Sequence, residues 1–357
     1  MSVVRAAASV RVRDARREPP RDWDALTVDP PGGHVLQGVD WAAHRAGQGW
    51  TTRFVTFSDD RAALVLTHRQ PPLPGFVAYA PRGPIGAGDP PERTAARAAA
   101  LATWLRVRGG TILAVDPELD ADPAYDAALA RAGFRPTEEL QPSRHRMVLR
   151  LSPGAGLDAV LSGISKQTRQ RIRAAEASGT RVVVDASGEH LVAFGRLVDA
   201  AAQRKHFDFA TDRGFLDWWR RVVLSGRARF LVAFHDELLL GGLLAYRQSG
   251  HIATAFSADR ADLRRELPGT MHLLRWHAIR EAVEAGCPSI DLGGVDVRGA
   301  RRKPGPGDPS YGLYEHKSSF GAEWVESAGA HEIVLRPWVY RTGLLARRAR
   351  RLVRDRS

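Results

Sequence analysis

The chain is short of the residues that staple, span or chelate. It has one cysteine, Cys287, in 357 residues. That excludes an intramolecular disulfide and a cysteine-based metal cluster, and it fits a reducing compartment. No apolar run approaches the roughly eighteen residues a membrane-spanning helix needs. The start, Met1 to Ser9, lacks the apolar centre of a secretory leader, and Arg11, Arg13, Asp14, Arg16 and Arg17 follow it. A cytoplasmic protein is expected, touching at most the inner membrane surface. The 12 histidines are scattered, with no His-x-x-x-His pair beside carboxylates, so no metal site is expected. Gly-x-Ser-x-Gly, the Walker loop and the Rossmann fingerprint are all missing, which argues against the corresponding hydrolases, nucleotidases and dinucleotide enzymes. Acidic residues are outnumbered, 40 against 52 Lys and Arg, for a net charge of +12. Such a surface favours nucleic acid, anionic lipid or phosphate-bearing substrates without choosing among them.

What is present is an ordinary globular composition, 44% hydrophobic and 26% charged, in a chain long enough for two cores. Glycines punctuate it. Ala95 to Arg108 reads as a helix stopped by Gly109-Gly110 and followed by a strand, Thr111 to Val115. Tyr125 to Ala132 repeats the device at Gly133, Met147 to Leu151 reads as a strand, and Ser152-Pro-Gly-Ala-Gly156 as a linker. From Leu157 to Ala175 apolar residues recur at helical spacing, predicting one helix that stops at Gly179. Phe230 to Phe234 and Leu238 to Tyr246 predict a hairpin, and Met271 to Ala285 a helix leading into the strand Ser289 to Leu292. The two halves share one pattern: a helix, a glycine stop, then a strand with an aspartate at or beside its end, Asp116 and Asp291. An α/β (α+β) architecture of two GNAT-like domains in tandem fits, with a first domain over 1–152 and a second over 153–320.

The stretch Tyr311-Gly-Leu-Tyr-Glu-His-Lys317-Ser-Ser-Phe-Gly321 carries the strongest chemical signal. It sets one lysine in a loop after an aromatic approach, downstream of Asp291-Leu-Gly293-Gly294. A lysine suits a developing oxyanion in acyl transfer; taken alone it reads as a surface lysine in a loop. A coenzyme-A transferase of GNAT type would carry an Arg/Gln-x-x-Gly-x-Gly/Ala loop before a helix. The matching place, Arg265-Glu-Leu-Pro-Gly-Thr-Met271, has too few glycines and a proline inserted. Lys166, Arg169 and Arg173 fall three and four apart, on one helix face opposite the apolar stripe, as a phosphate track or a solvated face. The arginine-rich tail after Arg336 reads as a contact for anionic membrane or RNA, or as a solvated end.

Taken together these segments resemble the FemABX-type peptidoglycan-bridge aminoacyltransferases, in order as well as content. Gln37-Gly-Val-Asp-Trp41 is similar to the family's Gln-x-x-x-Trp segment, Pro81-Arg-Gly-Pro84 to its Pro-Arg-Gly-Pro turn, and Gln167-Thr-Arg169 to its Lys-Thr-Arg helix. Trp276 to Ile279, Asp291 to Gly294, and Lys317 with Phe320-Gly321 follow in family order. The chain resembles the compact members without a coiled-coil arm. His316 stands where the family usually has phenylalanine, Gln167 where it has lysine, and the Arg204-Lys-His-Phe207 segment lacks a further arginine. The resemblance implies that about 321–357 return to complete the first domain, and that an amino acid passes from aminoacyl-tRNA to a stem-peptide amine of UDP-MurNAc-pentapeptide or lipid II; a monomer is expected. It implies Lys317 as the oxyanion-stabilising charge, Arg45 as a contact to the precursor's phosphates, and Arg204, Gly293, Gly294, Tyr311 and Tyr314 as further substrate contacts.

The implied chemistry needs no cofactor, because an aminoacyl ester is already activated. The acceptor must attack as a neutral amine, and deprotonating one of pKa ~10.4 at pH 7 costs about 4.6 kcal/mol. A fixed ammonium would stabilise the resulting oxyanion by roughly 3–4 kcal/mol. For the general base, His316, Asp291 and the terminal ribose hydroxyl of the tRNA stand as alternatives.

Overall fold

The computed structural model describes residues 9–86, 88–141, 143–154, 156–204, 211–297 and 299–342. The tail expected to meet membrane or RNA, and Lys205 to Phe207, lie largely outside these residues. The chain divides into two compact units, Met1–Leu140 with Ser327–Ser357, and Gln141–Glu326.

The first unit contains β1 (Val12–Arg16), α1 (Trp23–Thr27), α2 (Val39–Gly47), β2 (Thr51–Phe57), β3 (Ala62–His68), β4 (Phe76–Ala80), α3 (Pro91–Arg106), β5 (Gly110–Val115), α4 (Pro123–Arg131) and β6 (Arg135–Pro136). A late strand, His331–Val334, inserts between β5 and β6 and completes a seven-stranded sheet in the order β1-β2-β3-β4-β5-late strand-β6. Helix α3 begins four residues before the predicted start because Pro91 occupies its first turn, where the missing N–H is no loss. Helix α4 is capped by Asp122, whose Oδ1 accepts from Ala124 N at 2.7 Å. The core packs Val55, Phe57, Val65, Leu101, Leu105, Leu113 and Tyr125 together with Ile333 of the late strand.

The second unit contains β7 (Arg146–Arg150), α5 (Leu157–Gly163), α6 (Lys166–Ala177), β8 (Arg181–Val184), α7 (Leu191–Arg204), α8 (Arg213–Leu224), β9 (Ala228–His235), β10 (Leu238–Gln248), β11 (His251–Asp259), α9 (Thr270–Glu284), β12 (Ser289–Gly294), α10 (Tyr311–Ser318) and β13 (Glu323–Val325). Its sheet runs β13-β7-β12-β11-β10-β9-β8. The expected boundary at 152/153 gave the first domain a strand that the second owns: β7 pairs with both β12 and β13. In both units a helix, α3 or α9, precedes a strand that lies parallel to its neighbour, β5 beside β4 and β12 beside β11.

The helix predicted from Leu157 to Gly179 is two helices. Ile164 adopts an extended conformation (ψ 142°), and Ser165 caps α6 by accepting from Thr168 N at 3.2 Å. Helix α6 presses Ile172 and Ala175 onto α9, and the approach is close at Gly269, where α9 starts. Gly269 has φ +87°, and a Cβ there would lie 2.2 Å from the Arg171 carbonyl oxygen.

Candidate active site

Lys317 does not stand in an exposed loop. It occupies the last turn of α10 and is buried, 4% exposed. Its Nζ donates to the carbonyl oxygens of Gly293 (2.8 Å) and Gly294 (2.9 Å), at the end of β12. Charge-assisted bonds to two fixed carbonyls hold the ammonium in one place. The seat depends on backbone geometry: Gly293 has φ +86°, and a Cβ there would lie 2.9 Å from Thr254 O and 3.3 Å from Lys317 Nζ. Asp291 is buried and its Oδ1 accepts from Gly293 N at 2.7 Å, so its carboxylate braces the same turn.

A second buried cation, absent from the sequence expectations, sits behind this seat. Arg275 of α9 is 2% exposed; its Nη1 donates to Leu292 O (3.0 Å) and its Nε to His316 Nε2 (3.2 Å). Burial draws its pKa down to about 10, opposed by the Asp291 charge, so it remains cationic at neutral pH. The His316 ring meets His272 edge to face at 4.5 Å and Phe320 at 5.5 Å. Burial, and then the charges of Arg171 and Arg275, press His272 down to about 4, which keeps it neutral at physiological pH. One signal pointed to Arg275: it lies on the stripe of α9 shared with Ala278, Ile279 and Ala282, a charge among apolar positions.

The neighbouring helices converge on α10. Ser165 N donates to Ser319 O (2.9 Å) and Thr168 Oγ1 to Ser319 Oγ (2.7 Å), so the start of α6 is fastened just beyond Lys317. Lys166 and Arg173 are exposed and form no ion pair among the described residues. Arg169, expected on the same track, turns its Nη1 to Ser162 O (3.0 Å) and Ile164 O, satisfying carbonyls that end α5. Tyr311 and Tyr314 stack at 6.1 Å, and Lys303 Nζ lies 5.1 Å from the Tyr314 ring centre. Arg204 is the exposed last residue of α7. Away from these residues, Leu191, Val192 and Leu216 with Arg213, Asp217 and Arg220 line a groove of about 350 Å³. Among the described residues no cluster of three or more His, Cys, Asp or Glu could hold a metal ion, and no helix is long and apolar enough to cross a membrane.

Arg45 lies in the first unit. Its guanidinium rests 4.8 Å from the Trp50 ring and 5.6 Å from that of Trp41, and burial lowers its pKa. The Gln37…Trp41 segment also has an internal role. Fully buried Gln37 accepts from Leu64 N (2.8 Å) and donates to Leu64 O and Pro81 O, pinning the Pro81–Pro84 turn. Buried Asp116 holds the turn from its other side, accepting from Arg82 N (2.6 Å) and Tyr79 OH (2.8 Å). Burial raises the Asp116 pKa to about 6.

Each unit has the mixed sheet and flanking helices of a GNAT domain, and a family model for an acetyltransferase (GNAT) domain matches residues 162–317. The class is therefore a tandem GNAT fold. A FemAB family model matches residues 20–127. Among solved structures, FemX is similar over 92% of this chain and 99% of its own, with TM-score 0.76 and 19% identity. A conserved protein of unknown function from Bacteroides thetaiotaomicron is similar over 89% of this chain and 98% of its own (TM-score 0.54, 11% identity). The C-terminal domain of a putative lysylphosphatidylglycerol synthetase from Agrobacterium fabrum is similar over 79% and 84% respectively (TM-score 0.51, 15% identity). No curated protein matches the sequence.

Proposed function

We propose that the protein transfers an aminoacyl group from aminoacyl-tRNA to a stem-peptide amine of a peptidoglycan precursor. The observation that carries this reading is the Lys317 ammonium, held by the Gly293 and Gly294 carbonyls at the end of β12. The acceptor amine attacks the ester carbonyl; a C–N bond forms and the carbonyl oxygen takes the negative charge. Collapse breaks the ester C–O bond, and the proton lost by the amine ends on the ribose oxygen that leaves. A cation fixed before the reaction lowers the barrier without having to reorganise. Exposed Lys166 and Arg173 on α6, with Arg204, Tyr311 and Tyr314, are the proposed contacts to the substrates in the second unit, and Arg45 is the proposed phosphate contact in the first.

The test is incubation with charged tRNA and either UDP-MurNAc-pentapeptide or lipid II, with product mass as the readout. Lys317→Met is expected to fold while transfer falls about 10²–10³-fold; near-normal turnover removes the assigned role. Phosphatidylglycerol vesicles as a third acceptor and acyl-coenzyme A as a second donor separate the neighbouring acyltransfer reactions. Product formed only with acyl-coenzyme A would replace the proposed donor.

A further inference from the structure

One buried guanidinium touches both halves of the lysine seat. Arg275 binds Leu292 O, immediately before the Gly293–Gly294 turn, and His316 Nε2, immediately before Lys317. An arginine nitrogen donates and never accepts. His316 must therefore present its Nε2 lone pair to Arg275, and a neutral ring then carries its proton on Nδ1. A second ring proton would have to displace the guanidinium and set an imidazolium beside a buried like charge. The groups around the ring oppose it too. His272 and Arg275 face it from α9, Phe320 packs on it, and Lys317 follows it on α10. Of the buried carboxylates in this unit, Asp291 accepts from Gly293 N and Asp259 from Arg264.

We propose that Arg275 is a positioning residue that holds His316 as a neutral ring protonated on Nδ1 and, through the Leu292 carbonyl, fixes the turn that seats Lys317. The proposal deepens the reading of Lys317 as the charge that meets the oxyanion, and it rests on that reading. It also removes His316 as the base, since the lone pair a base would use is engaged by Arg275. The amine's proton then leaves by another route, with the tRNA ribose oxygen as its final acceptor.

The test uses the full chain labelled with ¹⁵N-histidine, with the His316 ring signals identified by their loss in His316→Gln. The expected spectrum has a protonated Nδ1 and a bare Nε2, unchanged from pH 6 to pH 8. In Arg275→Met the ring is expected to titrate in that range or to move its proton to Nε2. Arg275→Lys, which keeps a cation but lacks the planar fork that aims Nε and Nη1 at two separate acceptors, is expected to do the same and serves if Arg275→Met does not fold. A wild-type ring protonated on Nε2, or one that titrates between pH 6 and pH 8, overturns the proposal, as does a ring unaffected in a folded Arg275 variant. In the transfer assay His316→Leu should lower kcat about 10–100-fold with little change in KM. His316→Gln, whose amide oxygen can accept from Arg275, should recover most of that loss; equal kcat for the Leu and Gln variants counts against the clamp. A wild-type protein that transfers nothing to any acceptor would sink the functional reading, while the ring spectrum would still decide the clamp.

Discussion

Gly293 and Asp116 end equivalent strands in the two units, and each makes a prediction confined to one residue. Gly293→Ala places a methyl group against Thr254 O at φ +86°. It should cost about 1–3 kcal/mol in urea unfolding and lower kcat more than KM, because the carbonyls that seat Lys317 turn with it. Asp116 titrates in the opposite sense from a salt-bridged carboxylate. Its folded pKa, about 6, lies above the unfolded value, so the stability linked to its proton is fully present below pH ~4 and is lost as pH rises through ~6. Compared with Asp116→Asn, the wild type should lose about 2 kcal/mol of unfolding free energy between pH 4.5 and pH 7.5; parallel pH curves would refute it. At this scale the sequence singled out Lys317, Asp291 and Gln37, because each sits in a recognisable local pattern. It concealed that Gln37 braces a turn from the inside. It also concealed Arg275, since one more arginine in an arginine-rich chain stands out only when its helical phase is compared with that of Ile279.

The helices legible in the sequence, α3, α4, α6 and α9, are ones that glycine closes, while a break made by a side-chain cap was hidden. Ser165 interrupts a continuous apolar stripe, and only the cap it forms on α6 reveals the break. Helix α10 gives no helical signal in the sequence because its eight residues are too few to show a period around Leu313 and Tyr314; neighbours hold it instead. Ser165→Ala should lower stability by about 1 kcal/mol. It should also loosen Ser319, measurable as faster amide exchange around Lys317. Arg169 and its neighbours make opposite predictions despite their shared charge. Arg169→Ala should reduce stability with little change in the salt dependence of tRNA binding, because its guanidinium serves the carbonyls ending α5. Reversing Lys166 and Arg173 together should leave melting unchanged and flatten the slope of log affinity against log salt by about 1–2 units. An unaltered slope would return those two residues to plain surface charge.

At the scale of the whole molecule, two sheets with separate cores followed from length and from the repeated helix–glycine–strand pattern. The exact boundary did not, because β7 reads as the last strand of one domain and finds its partners in the next. The first unit depends on residues far along the chain: the late strand brings Ile333 into its core and links β5 to β6. A chain ending at Glu326 should therefore lose protease resistance across the first unit, while tryptic fragments of 141–326 persist; equal resistance in both would contradict the pairing. The same strand reverses the order of assembly on the ribosome. At roughly 5–20 residues per second, on the order of ten to forty seconds separate the synthesis of β5 from that of its last partner. In that interval the second unit can complete itself while the first displays an open edge strand. The domain begun first is finished last, and a nascent chain stalled in between exposes a ready template for aggregation.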